Sequence, residues 1–202
     1  AEAGAGDFGV GPERYYANGV YEGTDTSDDR YFPRGIYADG QLTKPSRADL
    51  IDGLTEDVSH SWYTDDSGGS PADQKPPEPA PNKDEAYSWG KAPRYNGQTM
   101  EVGPLARMIA KESDPFDLRA TLGGSATRSS TLNRLIARAQ EALLMRDVIV
   151  EWLDELDPDG KFQANWTEDF TGKGVGFWEA SRGALSHWVD VEDGIVEQYQ
   201  IV

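Results

Sequence analysis

The sequence predicts an α+β fold, in which β-hairpins and a short-helix region accompany one long amphipathic helix. The dipeptide Asp-Gly occurs between half-apolar runs at residues 39–40 and 193–194, and Asp-Gly in that setting is a strong hairpin signal. Apolar residues recur near helical spacing over residues 130–157, which is typical of a helix that buries one face. These observations favour a mixed chain with local hairpins.

We expect one domain, or part of one, with three stretches in chain order. Residues 1–63 form an N-terminal hairpin and short-helix region. Residues 64–85 hold five of the twelve prolines and no aromatic residue, so they predict an exposed surface loop rather than a helix or central strand. Residues 86–202 form a helical region that ends in a hairpin.

The first hairpin spans Arg30 to Leu42, and a short helix follows it. Ser46 is the expected N-cap, with Asp49 three residues later in the pattern of a capping box. The helix is expected to stop near Gly53.

A second helix is predicted to begin at Pro104, because proline suits the first turn of a helix. It would place three apolar residues on one face, and the dipeptide at residues 114–115, Asp-Pro, would end or kink it. The three apolar residues are Leu105, Met108 and Ile109.

The clearest element runs from Ser130 to Asp157 and forms a rod of roughly 40 Å at 1.5 Å per residue. Two interpretations stay open: it is a core helix of this chain, or it packs against helices that this chain does not contain. Its predicted apolar stripe consists of Leu132, Leu135, Ile136, Ala139, Leu143, Val150, Leu153 and Leu156.

The last hairpin is predicted from strict alternation along the chain near His187. That alternation places His187 on the apolar face, as a buried structural histidine. A two-residue turn would set Trp188 opposite Tyr199, but it would also set Asp190 opposite Glu197, which is unfavourable. The preceding run "GKGVGFW" lacks the spacing of a phosphate-binding loop and is interpreted as a bend.

Composition excludes several classes of function. The formal net charge of −17 opposes binding to phosphate backbones, so we expect no nucleic-acid partner. The chain has no cysteine, which excludes disulfides and thiolate metal ligands within it. Its apolar runs are shorter than the roughly 18 residues of a membrane span, so we expect no direct membrane crossing.

No catalytic set stands out from the residue pattern. The two histidines, His60 and His187, are far apart in sequence, and histidine spacing typical of metal sites is absent. His60 precedes the long loop beside Trp62 and Tyr63, and a loop histidine among aromatic residues indicates a functional or interface position.

Five segments in order make the chain recognisable: "YFPRGIY", "DVSHSWY", "YSWGKAPRYNG", "EVGPLARM" and "GKGVGFWEASRGALSHWVDVEDGIVEQYQIV". Together they resemble the central portion of the large subunit of nickel–iron hydrogenases of the uptake type. The likeness extends from about Phe8 to Val202. It implies that this α+β region is part of a larger, helix-rich large-subunit fold.

The resemblance also implies which groups lie elsewhere. In that family two cysteine pairs, one near each end of the large subunit, bind the nickel–iron centre, and this cysteine-free sequence contains neither pair. We therefore expect no catalytic residue, no metal ligand and no bound cofactor in this chain alone. The nickel–iron centre and the iron–sulfur clusters would belong to the full assembly.

The site residues implied by the resemblance are few. His60 matches the histidine of the "HSWY" motif, which lies in the family at the small-subunit contact near the proximal iron–sulfur cluster, where a hydrogen bond can tune the cluster. Arg94 of "KAPRY" would support that contact or form a structural ion pair. Arg182 would pack around the last hairpin, and Glu101 could pair with Arg107.

The function implied is a scaffold and small-subunit interface in an oxidoreductase that splits or forms H₂, inactive as this chain alone. Partners would be the remaining large-subunit segments and the iron–sulfur small subunit, with a lean to the periplasmic side through those partners. Two alternatives stay open: a cysteine-free relative in a complex I-like respiratory assembly, and an acidic interaction module.

Overall fold

A computed structural model describes residues 8–21, 30–73, 76–112, 127–161 and 169–202. Within these residues the chain forms three antiparallel sheets and three α-helices. The mixed content agrees with the predicted α+β class.

The first sheet contains the predicted N-terminal hairpin. Its strands are β1 (Tyr15–Ala17), β2 (Gly35–Ala38) and β3 (Gln41–Thr43), in the order β1-β2-β3. Asp39 and Gly40 make the turn with φ of 51° and 81°, which is the left-handed conformation that a two-residue Asp-Gly hairpin requires.

The short helix α1 (Arg47–Gly53) begins at the predicted capping box. The Ser46 hydroxyl accepts from the backbone N–H of Asp49, and the Asp49 carboxylate accepts from the N–H of Ser46 at 2.8 Å. The chain leaves the helix directly into β4 (Leu54–Asp57), which pairs with β5 (Ala92–Tyr95) in a two-stranded sheet.

The proline-rich loop is exposed along much of its length but is tied to the fold at several points. It contains two 3₁₀ turns, Asp65–Ser67 and Pro71–Asp73, and buries Ser67 and Pro71. The Lys83 ammonium donates to the carbonyls of Val58 and Tyr63 at 2.9 and 3.1 Å. A single cation therefore holds the start of this loop against its end.

Helix α2 (Pro104–Lys111) confirms the predicted start at Pro104. Leu105, Met108 and Ile109 are buried as expected. Burial extends to every residue from 104 to 110, so the helix lies inside the molecule rather than on its surface. The Asp-Pro dipeptide that we expect to end or kink it lies outside the described residues.

Helix α3 (Thr131–Glu155) is the predicted long helix, with the Ser130 hydroxyl accepting from the N–H of Asn133. Of the eight residues of the predicted apolar stripe only Ile136 is buried, while Leu135 and Leu153 are 60 and 64 % exposed, so this stripe is not the side of α3 that packs on the core. The side that packs on the core instead carries Asn133, Ile136, Ala137, Gln140, Leu144 and Val148.

The physical reason is that α3 is apolar on two sides. Because each residue advances a helix by about 100°, Leu135 and Leu153 lie on the side away from Ala137 and Leu144. The outer side has the more apolar sequence pattern, because the core side includes the polar residue Asn133. The Asn133 side-chain amide donates to the Arg128 carbonyl at 2.6 Å.

The third sheet consists of β6 (Gly172–Ala180), β7 (Gly183–Glu192) and β8 (Ile195–Ile201), in that order. The bend expected in "GKGVGFW" is wrong, because this run forms most of β6. Gly174 and Gly176 pair with Val189 and His187 of β7. A regular ladder therefore holds these glycines in an extended conformation.

The prediction for His187 is also wrong. The buried side chains of β7 are those of Ser186 and Trp188, at 2 and 5 % exposure, whereas His187 is partly exposed and contacts the Tyr199 hydroxyl. The Trp188 ring packs against Phe177 with centroids 5.9 Å apart. Tryptophan buries far more apolar area than histidine, which determines the face that turns inward.

The register of β7 with β8 differs from the expected one as well. Trp188 lies opposite Gln200, and Asp190 lies opposite Gln198, with an irregularity between Asp190 and Val191. The ladder skips Glu197 at this bulge. The unfavourable Asp190–Glu197 pairing is therefore avoided by one inserted residue.

The described residues form two core clusters that meet at β1. Tyr15 belongs to the cluster formed with α2 and α3, while Tyr16 belongs to the cluster formed with α1, β4 and the third sheet. Adjacent residues of a strand point to opposite faces, so β1 joins the two clusters. Across the described ranges, the helices lack the combination of length and apolar character that a membrane crossing requires.

Candidate functional site

His60 lies on a surface turn that follows β4 and runs beside the end of the proline-rich loop. The Tyr87 N–H donates to the His60 carbonyl at 3.1 Å, and the Trp62 N–H donates to the Ser88 carbonyl at 2.9 Å. The Ser61 hydroxyl donates to the Gly90 carbonyl at 2.7 Å. Backbone bonds therefore fix the histidine although its side chain is exposed.

The His60 ring is held by two contacts within the chain. It stacks on Tyr87 with ring centroids 5.6 Å apart and planes 25° apart. Its Nδ1 lies 3.2 Å from the Glu85 carbonyl oxygen. Because a carbonyl can only accept, this bond assigns a proton to Nδ1. Nε2 is then an acceptor in the neutral ring and a donor only in the imidazolium.

Three more aromatic side chains extend this surface. The Trp89 ring contacts those of Trp62 and Tyr63, with centroids 5.3 and 5.4 Å apart. Tyr87 is 74 % exposed and Trp89 is 48 % exposed. We call the set His60, Trp62, Tyr63, Tyr87 and Trp89 the aromatic–histidine surface.

Arg94, the other predicted site residue, lies on β5 opposite Thr55 and reaches the base of the same turn. Its guanidinium donates to the Asp57 carboxylate at 3.1 Å. Hydrogen bonds from the Ser59 hydroxyl and N–H hold the pKa of Asp57 below its usual range, and the charges of Arg94 and His60 add to this. Arg94 and His60 therefore flank one ionised carboxylate.

A second charged constellation lies inside the molecule, and there the expected Glu101–Arg107 pair is wrong. Glu101 pairs with Arg134 at 2.7 Å. Arg107 instead pairs with Glu141 of α3 at 2.8 Å and with Glu179 of β6 at 2.7 Å. Since Arg107 is 1 % exposed, it needs carboxylates that reach it from other elements.

The Arg107 cluster also includes Asn18, which follows β1. The Asn18 N–H donates to Glu179 at 2.6 Å, and its side-chain amide donates to the carbonyls of Trp178 and Leu185 at 3.0 Å each. Burial raises the pKa of Glu179 to about 7, against the opposing effect of Arg107 and the Asn18 N–H. Burial by itself would lower the pKa of Arg107. The carboxylates of Glu141 and Glu179 together have the larger effect, so the pKa of Arg107 is raised.

Arg182 has a smaller role than the one expected for it. Arg182 lies in the β6–β7 turn and is exposed. Its backbone carbonyl packs against Gly103, where a Cβ atom would come within 2.6 Å of the oxygen. The contact with the hairpin is therefore made by the backbone of Arg182, and it requires glycine at the start of α2.

Sequence reasoning missed Tyr87, Trp89 and Glu85 as parts of the site. A signal existed, because "YSWG" places two aromatic residues beside a glycine at the end of a polar loop. Their distance from His60 along the chain hid the contact. Reasoning also missed the Arg107 cluster, since three of its members come from separate elements.

The family's sequence profile for nickel-dependent hydrogenases matches residues 3–202. The chain belongs to the nickel-dependent hydrogenase family. It is 34 % identical over 201 residues to the Hydrogenase-2 large chain of Escherichia coli K12, covering 85 % of this chain. It is 31 % identical over 210 residues to the periplasmic [NiFeSe] hydrogenase large subunit of Desulfomicrobium baculatum, covering 97 % of this chain.

Solved structures agree with these matches and confirm the resemblance. The [NiFeSe] hydrogenase of Desulfovibrio vulgaris Hildenborough superposes with a TM-score of 0.84 at 31 % identity, covering 98 % of this chain and 43 % of that one. The chain spans 35 % of the Escherichia coli relative's length and 40 % of the Desulfomicrobium relative's length. It is therefore similar to a segment of a hydrogenase large subunit.

The residues present do not fit the nickel centre of that family. The whole chain lacks cysteine, and thiolates are the soft ligands that such a centre requires. Among the described residues, histidine and carboxylate side chains form no group of three that could hold a metal ion. We therefore derive no chemical step through nickel within this chain.

Proposed function

We propose that this chain serves as the scaffold and small-subunit contact of a nickel–iron hydrogenase large subunit that oxidises or forms H₂. The groups that react with H₂ would lie in other segments of the enzyme. The observation that carries the proposal is the aromatic–histidine surface. It lies on the segments "HSWY" and "YSWG", which contributed to the resemblance.

The composition of this surface supports an interface. Tryptophan and tyrosine are enriched at the centres of protein interfaces, where one large side chain contributes much buried area. Here Tyr87 stacks on His60, three further rings pack together on the same two segments, and Tyr87 and Trp89 are exposed in this chain. Backbone bonds already order the turn, so little further ordering would be needed on binding.

The fixed tautomer of His60 specifies what the ring can offer a partner. Nδ1 is used by the Glu85 carbonyl. A hydrogen bond donated to an iron–sulfur cluster or its ligand would therefore come from Nε2, and it would require the imidazolium. The Asp57 carboxylate nearby is held ionised by hydrogen bonds from Ser59 and by the Arg94 guanidinium.

The proposal is tested in the assembled enzyme by replacing His60 with alanine. Electron transfer to the acceptor should become about tenfold slower, or sensitivity to oxygen should increase, because a donor to the cluster is lost. Nickel content should stay unchanged, since His60 is not a nickel ligand. The matched control is His187→Ala, which removes the other histidine and should leave electron transfer intact.

A second variant tests the hydrogen bond. His60→Gln keeps a side-chain N–H donor, so electron transfer in this variant should be slowed less than in His60→Ala. Unaltered kinetics in both His60 variants would remove this residue from the site. An assembled enzyme without nickel would favour the nickel-free respiratory relative instead.

A further inference from the structure

A cavity of about 320 Å³ lies between helix α1, the proline-rich loop and the third sheet. None of its lining residues belongs to the aromatic–histidine surface or takes part in the Arg107 cluster. The volume is at the lower end of the roughly 300–1,000 Å³ that is typical of small-molecule sites. The cavity is therefore large enough to be a binding site of its own.

The wall of the cavity is largely apolar. It includes Ile51 of α1, Pro71 of the loop, and Val175 and Trp188 of the third sheet. Trp188 and Pro71 are buried, and the Trp188 indole N–H donates to the Ser186 hydroxyl at 2.9 Å. The one polar atom of this ring is therefore satisfied within the chain. Such a wall favours an apolar ligand group, which leaves water on binding.

Two cationic side chains line the same cavity, and the first is Arg47 of α1. Its guanidinium donates to the Val175 carbonyl and lies over the Phe177 ring, 5.9 Å from the ring centroid. These contacts hold the guanidinium in place before any ligand binds, which lowers the entropy cost of binding. A guanidinium presents its N–H groups in a planar fork that matches a carboxylate. Arg47 is therefore suited to bind a carboxylate next to the apolar wall.

The second cation is Lys173 of β6, whose ammonium lies 2.9 Å from the Asp190 carboxylate. The two side chains are 73 and 30 % exposed, so Lys173 lies on the solvent side of the cavity. An ammonium has three N–H donors, so Lys173 can contact an anion while it keeps Asp190. The charged residues of the lining are Arg47, Lys173 and Asp190. The cavity therefore carries one positive charge in excess, in a chain with a formal net charge of −17.

We propose that this cavity binds a small aromatic carboxylate, with its ring against Trp188 and its carboxylate at Arg47. The inference concerns a separate ligand site and does not depend on the proposed function. At the roughly 30 Å³ that one water occupies in the liquid, the cavity holds about ten non-hydrogen atoms, which is one ring with a carboxylate. A single negative charge matches the excess positive charge, and an aromatic ring packs well against tryptophan.

A bound ligand would connect three parts of the chain that are distant in sequence. Ile51 belongs to α1, Pro71 to a 3₁₀ turn of the proline-rich loop and Val175 to β6. Because the ligand binds only where these parts are assembled, it would stabilise the folded enzyme by mass action. The melting temperature of the enzyme should therefore rise with ligand concentration.

The probe is para-trifluoromethylbenzoate, titrated into the nickel-containing enzyme whose large subunit includes this segment and followed by fluorine NMR. We expect saturable binding with a Kd of about 1 mM or lower, the range that a ligand with one ring can reach. The uncharged para-trifluoromethylbenzamide has a similar shape. It should bind at least about fivefold more weakly, because it lacks the charge that Arg47 recognises.

Substitutions at Ala72 and Arg47 locate the probe. Ala72→Trp places a large ring at the cavity lining and should raise the Kd about tenfold or more. Its matched control is Ala48→Trp, at an exposed position of α1 that does not line the cavity, and it should leave the Kd unchanged. Arg47→Met should raise the Kd about tenfold, whereas Arg47→Lys keeps the charge and should raise it less.

Binding that is weakened in Ala72→Trp, kept in Ala48→Trp and dependent on the carboxylate would support the site. Absence of binding to the assembled enzyme would mean that the cavity is closed or filled by protein there, and it would overturn the site. Equal Kd values for the benzoate and the benzamide would overturn the carboxylate assignment, as would an unchanged Kd in Arg47→Met. The benzoate–benzamide comparison uses unmodified enzyme, so it decides the question even if a variant fails to assemble.

Discussion

The Arg107 cluster and the aromatic–histidine surface use polar and aromatic side chains in opposite ways. In the cluster, Arg107 and Glu179 are 1 and 5 % exposed, and their charges are met by groups of the same chain. In the surface, the rings contact one another, yet Tyr87 remains 74 % exposed. The Arg107 cluster is therefore satisfied within the chain, whereas our proposal expects the aromatic–histidine surface to be covered by a neighbouring polypeptide.

The largest expected effect on stability comes from a substitution in the Arg107 cluster. Arg107→Met removes the partner of two carboxylates, one of them fully buried. We expect the free energy of unfolding to fall by about 3–5 kcal/mol, because an uncompensated buried charge remains. Urea denaturation followed by circular dichroism measures the change.

Arg138→Met is the matched control for that variant. Arg138 is exposed on α3 and donates to the Arg134 carbonyl of its own helix. Its replacement should change the free energy of unfolding by less than about 0.5 kcal/mol. A loss for Arg107→Met as small as this would show that the interior does not depend on the cluster.

The pH dependence of stability sharpens the same contrast. Burial raises the pKa of Glu179 from 4.5 to about 7 in the folded chain. The folded chain therefore binds this proton more tightly than the unfolded chain does, and the free energy of unfolding falls as pH rises through that window. The fall contributed by Glu179 should be about 3 kcal/mol at most.

Glu179→Gln should remove this contribution, so its denaturation midpoint should vary less with pH than that of the unmodified chain between about 4.5 and 7. Glu141→Gln removes the other carboxylate that Arg107 contacts, and it should keep the slope. Identical pH profiles for the Glu179 and Glu141 variants would contradict the role of burial at Glu179.

The smallest expected effect on stability comes from a substitution in the aromatic–histidine surface. His60→Ala should change the free energy of unfolding of this chain by less than about 0.5 kcal/mol, since the ring is exposed and makes one hydrogen bond, to the Glu85 carbonyl. A loss of 2 kcal/mol or more, against roughly 1 for a net hydrogen bond, would mean that His60 serves the fold of this chain rather than a partner.

Local patterns predicted several elements correctly, because the forces that form them act over a few residues. The Asp39-Gly40 turn, the Ser46 cap and the start of α2 at Pro104 each follow from the preferences of one or two side chains. The bounds of α3 follow in the same way from its N-cap and the proline at position 158.

The buried side of each element and the register of the strands could not be predicted, because residues distant in sequence determine them. The apolar stripe expected on α3 is not the side that packs on the core, because Ala137 and Leu144 of the other side pack with residues of α2. His187 was expected on the buried face of β7, but that face carries Trp188, which packs against Phe177. In the candidate site, His60 and Arg94 were proposed from the resemblance. The contact of His60 with Tyr87 depends on the path of the proline-rich loop, which local sequence does not specify.

Chemical labelling of histidine gives the most direct test of the claim that the aromatic–histidine surface is covered by the small subunit. The chain has two histidines, His60 and His187, so diethyl pyrocarbonate adducts are readily assigned by mass spectrometry. We expect His60 to react readily in the isolated large subunit and about tenfold more slowly once the iron–sulfur subunit is bound. Equal reactivity of His60 in both states would contradict the account.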